Sequence, residues 1–128
     1  MSDPIRFNVY VTIKPGRLDE FKQIAQDWSA YQKQERPDIL SYEWFFSADE
    51  TRCQVMEQYE SSEAILATME QVSESEDESK PDYPYVMDRL EVLGNVSDAL
   101  KKKLDAGDSP IEYWSFLNGF TQIGRAHV

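Results

Sequence analysis

Apolar and polar residues alternate along the segment IRFNVYVTI at residues 5–13. Every second residue is apolar, which is the period of a strand that packs one face against a core. A Pro-Gly pair follows, and apolar residues then recur at helical spacing from Leu18 to Tyr31 until ERPD interrupts the pattern. The sequence therefore predicts a strand and then an amphipathic helix of about four to five turns.

Two β-rich runs come next and flank the polar segment SADET at residues 47–51. A polar loop between two such runs is typical of a β-hairpin. One face of the second run carries Cys53, Val55, Glu57 and Tyr59. The strand position of Cys53 predicts a buried small hydrophobe. A second helix follows, with Ser61 or Ser62 as its N-cap.

The last part of the chain predicts a strand at 88–96, a short helix at 97–108 and a final strand at 110–120. The acidic, serine- and proline-containing segment 73–85 before them is predicted to be a surface loop, with a cation-binding site as the alternative. The resulting order is β-α-β-β-α-β with a C-terminal α-β extension. It predicts an α+β fold of the ferredoxin-like βαββαβ type, an antiparallel sheet with helices on one face, in a single domain over residues 1–122.

The charge of the chain excludes some partners. Among its 128 residues, 24 acidic side chains outnumber 13 basic ones, which gives a net charge of −11. Such a field repels nucleic-acid phosphates and anionic membrane surfaces, so neither is expected as a partner. No segment approaches the roughly 18–20 apolar residues of a membrane span, and the first residues lack the pattern of a signal peptide. We therefore expect a cytoplasmic protein.

The last six residues, IGRAHV at 123–128, differ from the rest of the chain. They match the conceptual translation of a common sequencing-adapter oligonucleotide, and we expect them to be a non-native tail. They contain His127, which is the one histidine of the sequence. The native domain is therefore expected to contain no histidine.

Residue types and motifs exclude several kinds of chemistry. The sequence has no Gly-rich phosphate loop, no GxSxG and no EF-hand spacing. Its single cysteine cannot form an internal disulfide or a cysteine-rich metal site. We therefore expect neither a metal site nor a cofactor.

The end of the second hairpin strand carries a recognisable pattern. An acidic-x-aromatic-acidic-small run and a following EA resemble the antibiotic biosynthesis monooxygenase (ABM) superfamily of dimeric α/β-barrel proteins. The matching residues are Glu57, Tyr59, Glu60, Ser61, Glu63 and Ala64. The resemblance extends over residues 4–95 and implies a homodimer in which two sheets meet as a barrel, with a pocket in each subunit between sheet and helices. The family includes monooxygenases that oxidise quinols or polyketide phenols with dioxygen and without a cofactor, and enzymes that degrade haem, so the resemblance implies one of these activities.

Site residues follow from this resemblance and from the strand pattern. The helix position that often holds histidine in the family falls on Thr68, so haem degradation is not expected. The family's first-strand asparagine is matched by Asn8. A carboxylate among aromatic side chains can act as a base, which makes Glu57 the candidate, with Glu43 as its rival. The predicted pocket residues, each of which is also a candidate core residue, are Tyr10, Trp28, Tyr42, Trp44, Tyr59, Thr68 and Met69.

Two functions remain open at this stage. The first is an ABM-like, cofactor-independent monooxygenase of a small aromatic or quinol-type substrate. The second is a non-catalytic dimeric module that binds a small hydrophobic ligand, in which Glu57 forms an ion pair with Arg6 or Arg52. In either case the aromatic residues of the final strand are expected at the dimer contact, with contact to the substrate as the alternative. They are Tyr113, Trp114, Phe116 and Phe120.

Overall fold

Strands and helices follow one another along the chain in the predicted order. The structure is a computed structural model and describes residues 4–36, 38–75, 82–107 and 109–120. Its elements are β1 (Ile5–Ile13), α1 (Leu18–Glu35), β2 (Ile39–Phe46), β3 (Arg52–Tyr59), α2 (Ser62–Ser75), β4 (Tyr85–Leu93), α3 (Asp98–Asp105) and β5 (Ile111–Trp114). The α+β class predicted from the sequence is therefore confirmed.

The described strands form one sheet in the order β2-β3-β1-β4-β5. The first four strands pair antiparallel, as predicted for a ferredoxin-like unit. In the extension, β5 pairs parallel to β4, so the complete sheet is mixed. The parallel pairing follows from α3, because a helical crossover returns the chain to the end of the sheet from which β4 started.

The core lies on the face of the sheet that the helices cover. The apolar positions of β1, from Ile5 to Ile13, are all buried there. Helix α1 contributes Phe21 and α2 contributes Ile65, both of which are buried against the same cluster. Cys53 is 2% exposed, and burial raises the pKa of its thiol to about 11. Its predicted role as a buried small residue is confirmed.

Several boundaries differ from the prediction. The predicted loop 73–85 begins too early and ends too late, because α2 continues to Ser75 and β4 begins at Tyr85. Strand β4 starts early because the backbone of Lys14 donates a hydrogen bond to the Pro84 carbonyl at 2.9 Å, which extends the pairing with β1. The final strand is shorter than predicted and ends at Trp114. Residues 76–81 of the acidic segment and the predicted tail 123–128 lie outside the described residues.

Chain direction after β4 depends on one glycine. Gly94 has φ +127°, a conformation that a residue with a side chain rarely adopts. A Cβ atom there would also lie 2.8 Å from the Pro4 carbonyl oxygen. Glycine therefore permits the sharp turn by which the chain leaves the sheet toward α3.

The outer face of the sheet, opposite the helices, carries exposed apolar side chains. Their exposed fractions lie between 37% and 52%. They are Phe45, Met56, Val86, Leu93 and Trp114. In the part of the chain that the structure describes, no helix is long and apolar enough to cross a membrane.

Candidate functional site

A cavity of about 440 Å³ lies between the sheet and the helices. Strand β3 forms its floor with Glu57 and Tyr59, and helix α1 covers it with Trp28 and Gln32. The other lining residues are Phe7, Val9, Tyr42, Trp44, Ile65, Thr68, Met69, Tyr85, Met87, Leu90, Lys103 and Leu104. The site is therefore built from residues that are far apart in the sequence.

Most of the residues predicted for the site line this cavity. Besides Glu57 they are Trp28, Tyr42, Trp44, Tyr59, Thr68 and Met69. Asn8 and Tyr10 do not line it, since they alternate with the buried residues Phe7 and Val9 and point to the outer face. The same alternation was visible in the sequence, where both residues occupy the polar positions of β1.

Glu57 lies among aromatic neighbours on the helix-covered face of the sheet. In the strand register it is opposite Phe7 of β1 and Tyr42 of β2. The Tyr59 hydroxyl donates a hydrogen bond to Glu57 Oε1. Burial raises the pKa of Glu57 to about 7, and the Tyr59 hydrogen bond offsets part of that rise. The carboxyl group therefore changes from its protonated to its ionised form near neutral pH.

Glu57 is not part of an ion pair in the described ranges of the chain. The expected alternative, a salt bridge to Arg6 or Arg52, is therefore not formed in this structure. Its rival Glu43 pairs with Met56 on the outer face and is exposed. Of the two carboxylates considered as a base, Glu57 is thus the one that reaches the cavity.

The two tyrosines beside Glu57 remain neutral hydrogen-bond donors. Burial strongly raises the pKa of both Tyr42 and Tyr59, and the nearby Glu57 carboxylate raises each of them further. Trp44 contacts Tyr42 edge to face, with ring centroids 5.8 Å apart, and Phe21 in the same way at 5.6 Å. Such contacts hold the aromatic wall in place.

Thr68 occupies the helix position at which the resemblance leads us to expect histidine. Its side chain is 8% exposed, and its hydroxyl donates a hydrogen bond of 3.0 Å to the Ala64 carbonyl. A threonine hydroxyl has no basic group that could replace the imidazole of histidine, and its one hydrogen is already donated within the helix. Thr68 therefore contributes to the shape of the cavity.

Two polar atoms on lining residues lack a partner among the described residues. They are Trp44 Nε1, a donor, and Gln32 Oε1, an acceptor, and both are buried. A buried polar atom without a hydrogen bond costs about 1–3 kcal/mol. Gln32 was not predicted as a site residue, because a single glutamine on a long helix has no distinguishing sequence signal.

Asn8 and Tyr10 belong to a polar cluster on the outer face. Asn8 Nδ2 donates to the Tyr10 hydroxyl at 2.8 Å, and that hydroxyl donates to Glu91 Oε1 at 2.6 Å. The Arg89 guanidinium lies 4.0 Å from the centre of the Tyr10 ring. The hydrogen bond to Glu91 raises the pKa of Tyr10. These contacts join β1 to β4 on the side of the sheet away from the cavity.

Comparison with solved structures identifies similar folds. MupZ from Pseudomonas fluorescens superposes with a TM-score of 0.71 and 17% sequence identity, over 97% of this chain and 93% of MupZ. A conserved protein of unknown function from Bacteroides thetaiotaomicron, described as a possible oxidoreductase, gives a TM-score of 0.53 and 17% identity, over 72% of this chain and 97% of that one.

A third structure, a proposed antibiotic biosynthesis monooxygenase from Caulobacter crescentus, shares 25% identity. It matches 52% of this chain and 63% of its own chain with a TM-score of 0.48. The superpositions on MupZ and on the Bacteroides protein confirm the predicted α+β fold, and the one on MupZ is the more extensive of the two. Neither a protein-family model nor a curated protein matches the sequence.

Proposed function

We propose that this protein is an ABM-like, cofactor-independent monooxygenase that acts on a small aromatic or quinol-type substrate. The observation that carries the proposal is Glu57, a buried carboxyl group in an aromatic cavity with a pKa raised to about 7. A group of this kind is a general base matched to neutral pH. Fold similarity alone would not support the assignment, because one fold serves many functions.

The chemistry requires one base and a dry pocket. Glu57 removes a proton from an activated CH₂ group of a phenolic substrate such as an anthrone, which leaves an electron-rich carbanion. Dioxygen takes one electron from the carbanion, and the superoxide and the carbon radical combine to a peroxide anion, which takes its proton from Glu57 and becomes a hydroperoxide. Glu57 then removes the second C–H proton as the O–O bond breaks, and the departing hydroxide takes up that proton and leaves as water, so that the carbon becomes a ketone. The substrate supplies all four electrons, so no external reductant takes part.

The surrounding residues support these steps. Tyr59 fixes the orientation of Glu57 through its hydrogen bond. Trp28, Tyr42 and Met69 provide apolar walls beside the anion and the radical pair, and a substrate that fills the cavity would displace water from them. Trp44 Nε1 and Gln32 Oε1, which are buried on lining residues and lack a partner among the described residues, are candidate hydrogen-bonding groups for a polar substrate.

A binding module without catalysis is the second candidate. The observation that favours it is Thr68, whose hydroxyl is bound to its own helix in the position where family enzymes often carry histidine. In that case the cavity would hold a small hydrophobic ligand, and the raised pKa of Glu57 would reflect its burial alone.

We also propose a homodimer that forms through the outer face of the sheet. Exposed apolar residues such as Phe45 and Met56 lie on that face, and burial of such residues is typical of subunit interfaces. Trp114, which is 50% exposed, extends the same surface at β5, and Phe116, which follows the strand, is 61% exposed. Tyr113 is an exception, since its hydroxyl donates to Asp105 within its own chain.

Oxygen uptake tests the proposed reaction. The protein is incubated without oxygen with a panel of hydroquinones and anthrones, and consumption is recorded after oxygen is admitted. We expect uptake by the wild type to increase as the pH rises through about 7, because Glu57 must be ionised to accept a proton. In Glu57→Gln we expect the rate to fall by about 10²–10⁴-fold.

Glu43→Gln is the matched control, because it neutralises an exposed carboxylate on the neighbouring strand. Its oxygen uptake should equal that of the wild type. Equal rates in Glu57→Gln and wild type would contradict the assignment of Glu57 as the base. Saturable binding of these compounds without oxygen uptake above the buffer control would favour the binding module.

A further inference from the structure

The cavity has an open side that is marked by two residues. Among the described lining residues, Met87 and Lys103 are exposed, whereas the others are buried or half-buried. Glu57 belongs to β3, which lies between β2 and β1 within the sheet. A ligand in the cavity would therefore have one end near Glu57 and the other near Met87 and Lys103.

Lys103 is presented to this opening by α3. Leu100 and Leu104 of the same helix are buried against the core, which fixes the face that the helix turns inward. Lys103 lines the cavity while its side chain as a whole is exposed. Lysine commonly lays its aliphatic stem on apolar surface and keeps its ammonium group in water. This arrangement places a positive charge at the rim.

The ammonium group of Lys103 is available to a ligand. Neighbouring Lys101 is occupied by an ion pair of 2.8 Å with Asp105. Lys103, by contrast, forms no hydrogen bond or ion pair with another described residue. Lys103 is also the one basic residue among the described residues that line the cavity.

The charges around the cavity define what this lysine can select. The chain carries a net charge of −11, which disfavours the approach of an anion. Glu57 would repel a second carboxylate placed beside it. An anionic group is therefore best accommodated at the rim, where Lys103 lies, with the hydroxyl-bearing ring directed toward Glu57.

We propose that Lys103 is a specificity residue that makes the cavity prefer aromatic hydroxy acids, with the carboxylate at the rim and the phenolic ring inside. The inference rests on the proposed function in one respect, which is that this cavity is taken as the substrate site. Because the ammonium group is exposed to solvent, we expect a preference of about three- to ten-fold over a neutral analogue.

Matched ligand pairs test the proposal in binding experiments. The pairs are gentisate with gentisamide, and a hydroxynaphthoate with its amide, so that each pair differs in one charge and little in size. Dissociation constants are measured by calorimetry at low and high salt, for wild type, Lys103→Met and Lys103→Glu. The control is Lys102→Met, which removes the same charge from the adjacent exposed position outside the cavity.

We expect Lys103→Met to abolish the carboxylate preference of the wild type and Lys103→Glu to reverse it, with amide binding unchanged. Lys102→Met should keep the preference, and high salt should reduce it in the wild type. The proposal is overturned if the wild type shows no preference, if Lys103→Met retains it, or if Lys102→Met loses it equally.

Oxygen uptake with the same ligands separates the two proposals. A Lys103-dependent preference, with no oxygen uptake from these ligands or from the panel of hydroquinones and anthrones, would refute the oxygenase and support the selectivity of the cavity. Oxygen uptake that is equal for acid and amide in the wild type and in Lys103→Met would support the oxygenase and refute the selectivity. If none of these ligands bound to the cavity, the selectivity would be refuted, and the oxygenase would be decided by the panel of hydroquinones and anthrones.

Discussion

Glu57 is a carboxyl group in an apolar environment, and it forms no ion pair with another of the described residues. Its ionised form loses hydration and gains in return the hydrogen bond from Tyr59. One hydrogen bond does not replace the water around a carboxylate, so the neutral form is favoured in the folded state. Ionisation of Glu57 thus lowers the free energy of unfolding at high pH, and such destabilisation is common at functional sites.

Glu57→Gln is expected to stabilise the fold at alkaline pH. The pKa rises from an ordinary 4.5 to about 7 on folding, so the folded state holds a proton that the unfolded state has released. The stabilisation of the wild-type protein by this bound proton is complete below pH 4.5 and is lost as the pH rises through about 7. At roughly 1.4 kcal/mol per pKa unit, the loss is about 3 kcal/mol. Urea unfolding of both proteins at about pH 5 and about pH 8.5 measures it.

Glu43→Gln serves as the control here too, and we expect it to change the free energy of unfolding by less than about 0.5 kcal/mol at either pH. A parallel loss of stability in wild type and Glu57→Gln as the pH rises would mean that the pKa of Glu57 is not raised by folding. In that case the general-base proposal would lose its physical basis.

At the scale of elements, α3 determines how the extension joins the core. The Ser97 hydroxyl accepts a hydrogen bond of 3.1 Å from the Leu100 backbone and caps the helix. The Ser97 backbone donates in turn to the Ser62 hydroxyl at the start of α2, at 3.0 Å. The link between this cap and α2 depends on the tertiary structure, because Ser62 and Ser97 are far apart in the sequence.

Ser97→Ala is expected to destabilise the protein by about 1 kcal/mol, because the first turn of α3 loses its side-chain acceptor. The hydrogen bond from the backbone of residue 97 to Ser62 is retained, so the effect reports the cap alone. Chemical denaturation measures the change. Ser115→Ala, at an exposed position after β5, is the control and should have little effect. Equal stability of both variants would show that the cap does not stabilise α3.

The sequence predicted the type and order of the strands and helices, but it did not predict where some of them begin or end. The period-2 pattern of β1 and the helical spacing of α1 depend on neighbouring residues, so both elements were predicted close to their observed positions. The start of β4 at Tyr85 was missed because Pro84 and the preceding acidic residues are typical of a loop. The length of β5 was overestimated, since the paired part of an edge strand depends on how far its neighbour extends.

At the scale of the whole molecule, the two faces of the sheet serve different purposes. The helix-covered face contains the cavity, while the outer face exposes Phe45, Met56 and other apolar side chains. Association through the outer face would bury these residues and leave the cavity in each subunit open. The proposed dimer is therefore compatible with a separate site in each chain.

Met56→Lys is expected to weaken the dimer, because it places a charge within the proposed interface without disturbing the helix-covered core. Light scattering after size-exclusion chromatography, over a range of protein concentrations, should show a shift from dimer toward monomer. Ala30→Lys, an exposed position on α1, adds the same charge on the opposite side and is the control. A wild type that is monomeric at all concentrations, or a Met56→Lys variant that remains fully dimeric, would contradict the proposed interface.

The sequence by itself determined the types of the elements and which side of each strand is buried, because both depend on spacing between near neighbours. It placed Glu57 on an apolar strand face for the same reason, and it placed Asn8 and Tyr10 on the polar positions of β1. The tertiary structure decided that Trp28, Gln32, Glu57 and Lys103 surround one cavity. These residues come from different elements, and their proximity depends on how helices pack across a sheet, which local periodicity does not encode.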